Sequence, residues 1–67
     1  MTGWVKIYSS PQLHECELVK SMLADNNITA IIVNKQDSLY LFGEIELYVS
    51  TEDAFEANHL INILHRE

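Results

Sequence analysis

The apolar residues of this chain change spacing in a fixed order: alternate positions, helical spacing, alternation twice more, then helical spacing again. Few folds accept that order. Residues 4–8 alternate, with Val5 and Ile7 on one side and Trp4, Lys6 and Tyr8 on the other, as a strand does. Ser9, Ser10 and Pro11 stop it. Ser10 offers a hydroxyl to cap a helix, and Pro11 suits a first turn, where no amide donor is needed. Leu13, Cys16, Val19 and Leu23 then form one helical stripe. Asp25, Asn26 and Asn27 end it, with Asn27 where a helix C-terminus wants a left-handed residue.

Residues 28–34 are rich in β-branched side chains and read as a strand with Ile28, Ala30 and Ile32 inward. Residues 35–38 are polar and turn-like, and Leu39, Tyr40, Leu41 and Phe42 follow with no clean period. Residues 44–49 alternate strictly and give the clearest strand. Ser50 and Thr51 open a second helix, with Ser50 and Asp53 resembling a shortened capping box. Its expected buried stripe is Ala54, Ala57, Leu60, Ile61 and Leu64, and the acidic start and basic end (His65, Arg66) suit the helix dipole.

A strand–helix–strand unit crosses over right-handed, and a third strand returning as a hairpin slots between the first two. The predicted fold is therefore α+β, a ferredoxin-like β-α-β-β-α two-layer sandwich. Its three-stranded sheet has order 2-3-1, with both helices on one face. The whole of residues 1–67 is one domain. Compared with a full ferredoxin-like sandwich the last strand is missing, so one sheet edge and one sheet face stand uncovered.

Ten acidic residues oppose four basic ones, for a formal charge of −6. Nucleic-acid binding needs Lys and Arg to neutralise phosphates; Lys6, Lys20, Lys35 and Arg66 are scattered. The same deficit argues against anionic membrane surfaces, and the aliphatic run of residues 30–33 falls far short of the ~20 residues that span a bilayer. Acidity reads as solubility or a preference for a basic partner. Cys16 is alone, so no intrachain disulfide is available, and with no signal-peptide pattern in the first residues the expected location is the cytoplasm.

Lys6, Ile7, Tyr8 and Ser9, then Glu15, Cys16, Glu17, Leu18, Val19 and Lys20, then Leu23, Asn27 and Ile28 form the first part of a recognisable string. Leu47, Tyr48 and Val49, with Glu52, Asp53, Ala54 and Ala57, complete it. Over residues 5–64 it resembles a small bacterial family labelled "putative prokaryotic signal transducing protein". Members usually carry small residues where Cys16 and Ala57 stand, and glycine where Asn27 stands. The resemblance implies a fold like that of the PII-type nitrogen-regulatory proteins and a signalling role; it supplies no ligand and no catalytic residue.

Chemistries hosted by this fold leave marks that can be sought. A phosphate-gripping arginine after the first strand is replaced by Ser9, Ser10 and Pro11. A paired metal-binding cysteine is missing, and Cys16 lies on an inward stripe, where a small core residue is the better reading. RNA-stacking aromatics are matched in type by Trp4, Tyr8 and Tyr48, but Glu44 and Glu46 share their face with only Lys6 in opposition. PII-type nucleotide sites need basic, glycine-rich loops, and this chain has two glycines, Gly3 and Gly43. His14, His59 and His65 lack i, i+4 spacing and read as solvated. Ser9, Ser10 and Thr51 have no neighbouring base. The expectation is no enzyme, no catalytic residue, no metal and no cofactor.

Surface remains. By alternation the open sheet face carries Trp4, Tyr8, Ile31, Val33 and Tyr48, diluted by Lys6, Thr29, Glu44 and Glu46, with Lys6 placed to pair with Glu44 or Glu46. A monomer seldom leaves such a patch in water. The unpaired edge of the first strand is a further template for another chain. A second cluster, Leu39, Tyr40, Leu41 and Phe42, lies where PII-type proteins carry a partner-contacting loop, and either docks a target or folds back over the sheet end, against Phe55. The leading reading is a binding or regulatory module that contacts a protein partner or itself as a homo-oligomer. The alternative is a sensor holding a small molecule or cation at a subunit interface.

Overall fold

The computed structural model describes residues 2–37 and 43–65. Strand β1 (Trp4–Ser10) leads to helix α1 (Leu13–Asp25), strand β2 (Ala30–Asn34) and strand β3 (Ile45–Ser50). A 3-10 turn (Thr51–Asp53) then opens helix α2 (Ala54–Leu64). The sheet runs β1-β3-β2, and β3 is antiparallel to both neighbours. The predicted order and the ferredoxin-like arrangement are therefore present. Val19 and Leu23 of α1 share one core with Ala57 and Ile61 of α2 and with Ala30, Leu47 and Val49 of the sheet, which puts both helices on one face. The Cα extents of 35 × 33 × 15 Å are those of two layers, sheet and helices.

Alternation in β3 sets the core. Ile45, Leu47 and Val49 are at most 1% exposed, while Glu46, Tyr48 and Ser50 between them are partly exposed. Cys16, Val19 and Leu23 of α1 are equally buried. The ends of the predicted stripes depart from expectation: Leu13 is 45% exposed and Leu64 40%. They are the first and last residues of their helices, where side chains have packing neighbours on one side only.

Ser10 does not cap α1 as predicted. It is a buried strand-end residue whose Oγ accepts the Gln12 amide at 3.0 Å and donates to Glu15 Oε1. Gln12 is the N-cap, and its carbonyl accepts the amides of Glu15 and Cys16. Ser50 Oγ accepts from the Glu52 amide at 3.1 Å and so caps the 3-10 turn; Asp53 makes no capping bond.

The C-terminus of α1 is as read. Asn27 has φ +64°, its amide donates to Ala24 O, and the Ile28 amide reaches back to Leu23 O at 2.9 Å. This is a Schellman closure, with Ile28 and Leu23 both in the core. After β2, the Lys35 amide donates to Glu44 O and Gln36 Nε2 donates to Pro11 O at 2.8 Å. The first bond joins the two ends of the β2–β3 connection to each other, and the second ties that connection to the β1–α1 corner. Gly43 completes the tie at φ +96°, where an added Cβ would lie 2.8 Å from Lys35 O.

Two substitutions test this frame. Asn27→Gly relieves left-handed strain and is expected to raise stability by ~0.5–1 kcal/mol, read as a higher urea midpoint at unchanged slope. Gly43→Ala adds both strain and a backbone clash and is expected to lower stability by ~1–3 kcal/mol in the same titration.

Candidate functional site

The outer face of the sheet is the candidate, and cross-strand register decides which side chains occupy it. β2 pairs with β3 regularly: Ala30 with Val49, Ile31 with Tyr48, Ile32 with Leu47, Val33 with Glu46. Because Leu47 and Val49 are core residues, Ile31 and Val33 stand on the outer face beside Tyr48 and Glu46. β1 begins in step, with Trp4 opposite Ser50, Val5 opposite Val49 and Lys6 opposite Tyr48. The register then shifts by one residue at Ile7, so that Tyr8 faces Leu47 and Ser10 faces Ile45.

That bulge corrects one expectation. Alternation from Trp4 puts Tyr8 on the open face; the extra residue turns it to the helix side. Tyr8 packs against the core together with Ile7 and Val5, and its ring stacks on His65 past the end of α2, with centroids 5.5 Å apart and planes 13° from parallel. Burial, with the Glu15 carboxylate second, pushes its phenol above the usual range. Tyr8 thus belongs to the floor under α2, and the outer face keeps Trp4, Ile31, Val33 and Tyr48.

Those four residues are partly exposed to exposed, Ile31 at 36%, and no described helix lies over them. Leu39, Tyr40, Leu41 and Phe42, named above as the second contact cluster, lie outside the described residues. Phe55, on which they were expected to fold, is 88% exposed. Thr29 and Glu44 are exposed and lie just beyond the ends of β2 and β3.

At the centre of the face stands Glu46. Lys6 Nζ is 3.5 Å from its Oε2, and Lys35 Nζ is 3.2 Å from its Oε1. Tyr48 donates its hydroxyl to the same Oε1 at 2.8 Å. The Tyr48 hydrogen bond, followed by the two lysines, holds the Glu46 carboxyl below the usual carboxylate range, while the same bond pushes the Tyr48 phenol upward. Pairing of Lys6 with Glu46 is one of the two options read from the sequence; Lys35 was not foreseen there. Its signal is present nonetheless. Residues 31, 33 and 35 share a face, and Val33 opposes Glu46, so Lys35 sits diagonal to that carboxylate just as Lys6 does from the other side.

Elsewhere the titratable groups are dispersed. Cys16 is fully buried, donates to Ile45 O at 3.4 Å and has its thiol pushed up, first by burial and then by Glu15, the opposite of an activated nucleophile. Among the described residues no three His, Cys, Asp or Glu side chains converge on a metal position. Also among them, no helix is long and apolar enough to cross a membrane. A shallow groove beside β2, lined by Lys20, Ala24, Asn27, Ile28, Thr29 and Ala30, is open to solvent.

A family model described as "Putative prokaryotic signal transducing protein" matches residues 4–64, from the first residue of β1 to the last of α2. No curated protein and no solved structure matches the chain.

The Glu46 cluster makes a pH prediction. A carboxyl whose folded value is depressed stabilises the fold above its unfolded value and loses that contribution as pH falls through the folded one. Wild type is therefore expected to exceed Glu46→Gln in urea midpoint at pH 7. The gap should close as pH drops below the ordinary value of 4.5, and molar salt should narrow it at pH 7. A gap that is flat across this acid range would show that the two lysines and Tyr48 do not stabilise the ionised form.

Proposed function

The chain belongs to the family described as "Putative prokaryotic signal transducing protein", whose model spans residues 4–64, and from that premise we infer that it is a protein-contact module whose working surface is the open sheet face. The observation that supports this reading is the face itself. Trp4, Ile31, Val33 and Tyr48 share with the ion-paired Glu46 the side of the sheet opposite both helices. Partly exposed apolar side chains around a hydrogen-bonded, ion-paired carboxylate make a patch that a monomer seldom leaves in water, and Trp and Tyr are among the residues that most often dominate protein contacts.

On this reading the protein acts in the cytoplasm by binding rather than catalysis, either as a homo-oligomer or against a protein partner. The Glu46 cluster contributes orientation. Tyr48, Lys6 and Lys35 are held in place by one carboxylate, so the face meets its partner partly ordered and loses less side-chain freedom on association.

Trp4→Glu and Tyr48→Glu place a charge within the patch without touching the core. Light scattering across a concentration series is expected to give a lower mass for both than for wild type. Where wild type co-purifies with another protein, both variants should lose it. If mass and co-purification are the same for wild type and both variants, the sheet face is not the contact surface and the proposal goes.

A further inference from the structure

The sheet has two edges, and they differ. Order β1-β3-β2 leaves one side of β1 and one side of β2 without a neighbouring strand among the described residues. β1 carries Lys6 within the strand and a bulge at Ile7, and both features spoil pairing with a further strand. β2 carries neither. It pairs with β3 without a register shift, and its residues Ala30–Asn34 include no charge and no proline.

The phase of the ladder decides which backbone groups that edge offers. The Lys35 amide donates to Glu44 O, so these two residues form a hydrogen-bonded pair. Such pairs recur at every second residue of an antiparallel ladder. Val33 with Glu46 and Ile31 with Tyr48 therefore direct their amides and carbonyls into the sheet. The amides and carbonyls of Ala30, Ile32 and Asn34 point the other way, out of the edge. Their side chains lie on the helix side, since Ala30 belongs to the core and opposes Val49, while Ile31 and Val33 lie on the outer face. An open groove separates α1 from the start of this edge, with Lys20 and Ala24 on one wall and Ile28, Thr29 and Ala30 on the other.

We propose that β2 is a dimerisation strand, pairing antiparallel with β2 of a second copy of this chain about a two-fold axis through Ile32. The two sheets join into one of six strands. This concerns the edge and does not rest on the sheet face as a contact surface. The symmetry of the strand is what selects a second copy. With Ile32 opposite Ile32, Ala30 stands opposite Asn34 twice, and the outward amides of each copy meet the outward carbonyls of the other. Ile31 and Val33 become neighbours across the axis as non-hydrogen-bonded pairs, where side chains approach most closely. Asn34 enters the other copy's groove beside Ala30, whose small side chain, like that of Ala24, leaves room. Each copy carries a formal charge of −6, yet no charged side chain lies within this ladder. Lys35, the first one after it, falls beyond the end, opposite Thr29. Oligomerisation is one of the ways in which chains this small gain the burial that a single core lacks.

Cysteine cross-linking reads the register. Ile31→Cys mixed with Val33→Cys under mild oxidation is expected to give a disulfide-linked heterodimer, because those positions face each other. Either variant alone should cross-link several-fold less, since like positions stand two residues out of step, and Cys16 is buried. By light scattering, wild type should reach at least twice the 7.7 kDa chain mass. Asn34→Pro removes an outward amide without breaking the ladder to β3. Shown to be folded by circular dichroism, it should need at least tenfold more protein to reach the dimer mass; Ile32→Lys, which sets like charges at the axis, replaces it should it fail to fold. Trp4→Glu, remote from this edge, should keep at least the dimer mass. A wild type monomeric at every concentration overturns the proposal, as does a mixture that cross-links no better than the single variants. So does a folded edge variant that dimerises at wild-type concentrations. Trp4→Glu falling to the monomer also overturns it and assigns the association to the sheet face instead.

Discussion

Everything in this molecule is referred to β3. It is hydrogen-bonded along both edges, so its strict alternation is imposed on both neighbours at once. Ile45, Leu47 and Val49 fix which side receives the helices, and Glu46 and Tyr48 fix what the other side presents. A one-residue slip of a strand would exchange those sets and bury a carboxylate, which costs several kilocalories unless it is paired. A domain of ~60 residues buries only about 60% of the surface its unfolded chain exposes, so it has little stability with which to tolerate that error. One central strand carrying the register for three is a consequence of small size.

The bulge at Ile7 reconciles the two ends of β1 with that central strand. At the start of β1 the outer face takes Trp4 and Lys6; after the bulge the inner face takes Tyr8 and Ser10. Tyr8 then fills space beneath α2 and stacks on His65, while Ser10 holds Gln12 and Glu15 at the entry to α1. A single extra residue thus lets one seven-residue strand serve both the contact surface and the support of both helices. It also kinks an edge strand, which discourages indiscriminate pairing along β1 and lowers the value of that edge as a docking template compared with the sheet face.

The order of elements, the sheet order and the left-handed turn at Asn27 could be read directly from residues, because each rests on a local period or on backbone sterics. The exchange of Tyr8 could not. Register is a property of two strands, and alternation counted along β1 alone has no means of detecting an inserted residue; only the adjacent apolar pair Ile7 and Tyr8 hints at it. Ser10 was misplaced by two positions for a related reason, since its hydroxyl bonds the Gln12 amide from within the strand end rather than from the N-cap. Lys35 is one of four cations scattered along the sequence, although its diagonal relation to Glu46 follows once β2 and β3 are in register. Side chains at helix ends, Leu13 and Leu64, obeyed the helical period yet stayed exposed, because period gives direction and not coverage.

The division of charge bears on how an acidic protein recognises anything. Net charge of −6 suggests a basic partner, but net charge is a sum over the whole surface, and contact is made by one face. Six of the acidic residues lie in the helical layer, whereas the sheet presents Lys6 and Lys35 around Glu46, with Glu44 opposite Lys35 at its end. Electrostatic selection at short range follows the local sign, since at physiological ionic strength fields decay over ~8 Å and the molecule is 15 Å thick between its Cα layers. The sheet face, where Lys6 and Lys35 stand beside Glu46 and Glu44, is therefore close to neutral locally, and the net charge of the whole protein does not describe it.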